Sequence, residues 1–104
     1  MEHVSVNTKM NFSFNVELKV IREAILSIQK KINTIKFDKN FLLLLNSPKT
    51  NVSISMNYKI KNIKDFAFET KRLIFLIEQK VFSLINTKPI NINLVFEGII
   101  NENQ

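Results

Sequence analysis

Asp65 and Glu69 lie four positions apart, with Asn62 three residues before the first of them. On a helix this spacing sets two carboxylates one turn apart on one face, the geometry of a general acid and base. A simpler role competes with it, because acids in the first turns of a helix suit the positive end of its dipole. No ligand set or nucleophile accompanies the pair, so the simpler role is preferred. His3 is the only histidine and sits in a terminal segment, which argues against a histidine-dependent triad or a histidine-containing zinc site. Gly98 is the only glycine, so the glycine-rich loops that bring backbone close to phosphate are missing. There is no cysteine, hence no disulfide and no thiolate metal site. The expectation is a protein with no catalytic residue, no cofactor and no metal.

A second constellation is apolar. Phe68, Phe75 and Phe82 recur every seven residues within FAFETKRLIFLIEQKVFSLIN, residues 66–86. On a helical wheel the main apolar face is Phe66, Leu73, Ile74, Ile77, Val81, Leu84 and Ile85, and the three phenylalanines fall roughly opposite it. They drift slightly, as a heptad does on a straight helix. A helix packed on one layer should be polar on that side. Three exposed rings in a row would mark an interaction site, with Lys71 and Arg72 beside them. The competing reading is that a neighbouring helix reaches round and covers the stripe.

The elements that must carry these residues are read from periodicity. Met10, Phe12, Phe14 and Val16 alternate with Asn11, Ser13 and Asn15, predicting a half-buried strand that Val4 and Val6 could extend backwards. Residues 16–33 change to helical period, with Leu18, Ile21, Ala24, Ile25, Ile28 and Ile32 on one face and Asn15 as the N-cap. FLLLLN (41–46), a turn at SPKT (47–50) and NVSISMNYKI (51–60) predict a hairpin, its second strand packed through Val52, Ile54, Met56 and Tyr58. Asn62 with Asp65 resembles a capping box opening a helix over 63–86, stopped before Pro89. A last strand covers 92–96, and the tail NENQ is expected to fray. The order β-α-β-β-α-β gives an α+β two-layer sandwich, an antiparallel or mixed sheet with both helices on one face. The whole chain, 1–104, is one domain with an ordered core over about 10–98.

Composition limits the partners. With 45% hydrophobic and 23% charged residues the chain is too apolar for disorder. No apolar run is longer than five residues, as in Phe41 to Leu45, far too short to span a bilayer. No charged-then-apolar leader is seen, so a cytoplasmic protein is expected, peripheral to a membrane only through a partner. The net charge of +6 raises nucleic acid as a ligand. Arg22 and Arg72 are the only arginines among 15 basic residues, whereas phosphate-binding surfaces favour the guanidinium fork. The outward residues of the sheet (Asn11, Ser13, Ser53, Ser55, Asn57, Asn91 and Asn93) offer no aromatic ring for base stacking.

The C-terminal half, NVSISMNYKIKNIKDFAFETKRLIFLIEQKVFSLINTKPININLVFEGI, resembles the bacterial alkaline shock protein family of general stress proteins. The resemblance rests on the alternating strand from Val52 to Tyr58, Ile63 with Asp65, the long helix after them, and the closing run from Asn93 to Ile99. SFNVELKVI, residues 13–21, resembles the family's short strand and helix start, so the likeness covers roughly 10–100. Asn33 and Lys59 stand in regions where the family usually has glycine. The resemblance implies a non-enzymatic protein of the stress response, linked to cell-envelope homeostasis or control of lipid synthesis, some relatives being held near the membrane by a partner. The expected role is thus a protein-interaction module, self-associating or docking on another protein through Phe68, Phe75, Phe82, Lys71 and Arg72. The alternative is a nucleic-acid- or ribosome-binding domain that uses its lysines.

Overall fold

The computed structural model describes residues 2–101. Its elements are β1 (His3–Asn7), β2 (Ser13–Glu17), α1 (Leu18–Lys31), β3 (Ile35–Phe37), β4 (Leu42–Leu45), β5 (Val52–Ile60), α2 (Phe66–Ile85) and β6 (Asn91–Ile99). A single 3-10 turn, Ile63–Asp65, leads into α2. The architecture is α+β, with a mixed sheet under two helices and a separate two-stranded sheet at the N-terminus.

Strand β5 is the centre of the larger sheet because its alternation is strict. Val52, Ile54, Met56, Tyr58 and Ile60 are all buried, while the residues between them are not. They pack with Ile21, Ile25 and Ile28 of α1 and with Leu73, Ile77, Val81 and Ile85 of α2, so both helices cover the same face. On one side β5 pairs with β6 in parallel, Ile54 beside Ile92 and Tyr58 beside Phe96. On the other it pairs with two short antiparallel strands in succession, β4 against 52–55 and β3 against 58–60. β3 and β4 thus form one interrupted edge strand. The break falls at 38–41, where Asp38 Oδ1 accepts from the Asn40 N–H and Phe41 turns into the core. Strand β3 has no counterpart in the sequence reading: three residues are too few to show a period.

The N-terminus corrects the expected strand. Met10 and Phe12 lie in the turn of a hairpin in which β1 and β2 pair antiparallel. Asn11 takes a left-handed φ of 64°, which breaks the extended run, and Thr8 closes the turn through the Phe12 carbonyl. Met10, Phe12 and Phe14 are therefore exposed, and Val4 and Val6 are the buried side chains, carrying the core back beyond residue 10. The outward residues Asn11 and Ser13 belong to this hairpin rather than to the main sheet. Helix α1 begins later than expected, with Glu17 instead of Asn15 at its N-cap and no side-chain cap bond.

At the start of α2, Asn62 Oδ1 accepts from the Lys64 N–H, as a capping residue should. The far end closes on Asn86, whose N–H makes the last helical bond to the Phe82 carbonyl and whose left-handed φ of 61° then turns the chain out of the helix. Asparagine tolerates that conformation better than residues lacking a short amide. Asn86→Ala should lower stability by about 1 kcal/mol and Tm by roughly 5 °C, read by thermal unfolding. No described helix is long and apolar enough to cross a membrane.

Candidate interaction groove

Helix α2 buries one row of side chains and leaves its opposite row in solvent. Phe68, Phe75 and Phe82 are 63%, 54% and 50% exposed, while Leu73, Ile77 and Val81 are fully buried. The stripe is not covered by α1. Instead α1 lies beside it and forms the far wall of a groove of about 880 Å³. Ile28 and Ile32 line it from the α1 side and Leu76 from the α2 side, and Phe75 and Phe82 face it. Its charged lining is Lys31, Arg72, Lys80 and Lys88 against the single acid Glu78. The concavity is apolar at its base and basic at its rim.

The structure divides the five expected contact residues. Phe75 and Phe82 share the groove. Phe68 lies outside it, its ring 5.7 Å from the Arg72 guanidinium carbon. Lys71 is exposed on the same helix but does not line the groove. Arg72 has a second task. Its Nε lies 3.4 Å from Glu69 Oε1, and its Nη2 donates to Thr34 Oγ1 at 3.1 Å. It ties α2 to the loop between α1 and β3, so a contact role is secondary for it.

Glu69 is not a free carboxylate beside Asp65. Its side chain is 5% exposed and faces Arg72. Asp65 and Glu69 both border a smaller polar depression of about 560 Å³ with Thr34, Lys61 and Asn62. Among the described residues no three His, Cys, Asp or Glu side chains are grouped as a metal site would need.

No protein-family model, curated protein or solved structure matches this chain.

Sequence reasoning missed the α1 side of the groove and its lysines. Ile28 and Ile32 read as ordinary core positions on an amphipathic helix, and both are buried in the core as well. A groove between two helices needs their packing distance and rotation, and neither is written in one helix's periodicity.

The open face of the sheet presents Leu42, Leu44, Ser53, Ser55, Asn57, Asn91, Asn93 and Val95. It carries no aromatic ring among the described residues. Lys36 and Lys59 stand directly opposite each other across β3 and β5.

Proposed function

We propose that this domain is a non-enzymatic protein-interaction module whose groove between α1 and α2 takes an acidic, amphipathic segment of a protein partner. The observation that carries this is the exposure of Phe75 and Phe82 along an apolar groove rimmed by lysines. A helix lays apolar anchors into such a groove, and acids flanking them would meet Lys31, Lys80 and Lys88. A second copy bound here would bring those lysines together, which disfavours self-association on this face. A setting in envelope homeostasis or lipid synthesis is supported only by the resemblance of residues 10–100 to the alkaline shock proteins. In that setting the protein is cytoplasmic, and any membrane contact runs through the partner.

The test is capture on the tagged chain from native lysate, with and without nuclease, using wild type and Phe75→Glu. A partner that survives nuclease is then purified and titrated against both forms. Phe75→Glu should keep the native circular dichroism and weaken binding by about 10–100-fold, as loss of a central aromatic anchor does. Equal binding by both forms would place the contact elsewhere.

One observation favours a second reading, an anion-binding surface for nucleic acid. Like charges directly opposite on a sheet destabilise it, and an anion between Lys36 and Lys59 would relieve them. Copurifying RNA that disappears with nuclease, with binding that falls steeply as salt rises, would support that reading.

A further inference from the structure

A different surface, the outer edge of β6, carries an inference independent of the groove. Among the described residues β6 pairs only with β5, so its other side is an edge. The Val52 and Ile60 carbonyls accept from the Ile90 and Ile100 N–H groups, so the even positions of β5 turn their backbone groups toward β6. Backbone groups alternate in direction along a strand. Ile54, Met56 and Tyr58 therefore bond toward β6, each to the residues flanking its register partner, so the groups of Asn91, Asn93 and Val95 face β5 and those of Ile92, Leu94 and Phe96 point outward.

Edges of this kind invite another strand, and proteins usually blunt them with lysine, proline or shortness. β6 has none of these. It is nine residues long, contains neither lysine nor proline, and has Glu97 as its one charge. The side chains tell the same story. On β5 the row Ile54, Met56 and Tyr58 is buried, but the neighbouring row Ile92, Leu94 and Phe96 is only half-buried. The apolar layer runs on to the edge of the sheet and stops there uncovered.

We propose that β6 pairs antiparallel with the β6 of a second copy of this chain, about a two-fold axis at Leu94. The regular part of the strand, NINLVFE at 91–97, ends at the irregularity near Gly98, whose φ is 120°. Its midpoint is Leu94. In this register Leu94 meets Leu94, Ile92 meets Phe96, Asn93 meets Val95 and Asn91 meets Glu97. The half-buried apolar row thus continues across the axis, and the only charge faces an amide. The outward N–H and C=O groups of Leu94 bond to those of its copy across the axis, and those of Ile92 bond to those of Phe96. The two mixed sheets become one, and the two grooves stay open.

The test uses the full chain. Sedimentation at about 100 µM fills any interface with a micromolar Kd and should show a dimer. The two Leu94 positions form a backbone-bonded pair with Cα atoms about 5.5 Å apart, inside disulfide range. The chain has no cysteine, so Leu94→Cys should cross-link to its copy under mild oxidation without background, and Ile92→Cys should not. Val95→Lys, at an exposed position, should give a folded monomer. A monomer at every concentration overturns the proposal. So does a dimer in which Leu94→Cys fails to cross-link, or one abolished by Phe75→Glu and untouched by Val95→Lys, since that dimer would use the groove.

Discussion

Arg72→Met is expected to destabilise the domain by about 2–3 kcal/mol, far more than a surface arginine normally would. The reason is the residue one turn before it. Glu69 is held on the buried side of α2, its side chain 5% exposed, and Arg72 is the cation beside it. The contact is an ion pair at 3.4 Å rather than an aligned hydrogen bond, and Glu69 Oε2 has no hydrogen-bond partner among the described residues. Removing the guanidinium leaves a buried carboxylate with neither a cation nor enough donors, a change that costs about 3–5 kcal/mol in fully buried pairs. Arg72 is more than a third exposed, and water entering its place puts the estimate at or below the low end of that range. Glu69→Met should cost much less, because the freed arginine can turn to solvent. The double variant Glu69→Met/Arg72→Met should recover most of the loss. Urea denaturation of the three variants checks the order. If Arg72→Met proves no worse than Glu69→Met, the ion pair is not what holds this end of α2.

The second large effect separates the two faces of the same helix. Ile77→Ala should cost about 2–5 kcal/mol, because Ile77 is fully buried against β5 and the cavity left behind cannot collapse freely. Phe75→Ala, two residues earlier, removes a larger side chain and should cost only about 1 kcal/mol. Its ring is half in solvent, so only about half the apolar area of a core phenylalanine is at stake. Chemical denaturation midpoints of the two variants give the comparison directly. A loss above about 2 kcal/mol for Phe75→Ala would make the stripe part of the core and would remove the ground for the groove proposal.

How far the sequence carries can be judged from particular residues. The buried row of β5 is legible in NVSISMNYKI because a strand between two neighbours and under two helices must alternate, and it does. The α2 stripe is legible for the same kind of reason: seven-residue spacing fixes the rings to one side of a helix whatever the tertiary contacts. The N-terminal alternation misleads, since Met10, Phe12 and Phe14 continue a period of two straight through a turn. The reversal depends on Asn11 entering a left-handed conformation, which its identity permits but does not require.

The sequence by itself determined the class of fold, the buried faces of β5 and α2, and the absence of glycine-rich, cysteine-based or multi-histidine chemistry. Each of these follows from local period or from which residue types are present. Tertiary structure alone decided that β5 and β6 run parallel, that β3 and β4 share one edge, and that β6 has an unpaired side. It also turned Arg72 from a surface cation into the partner of a buried acid, and it set α1 beside the phenylalanines as a wall rather than a lid. All of these depend on segments distant in the chain meeting at a particular angle and register. A periodicity of two or 3.6 residues states which face of an element is apolar, and not what will be packed against it.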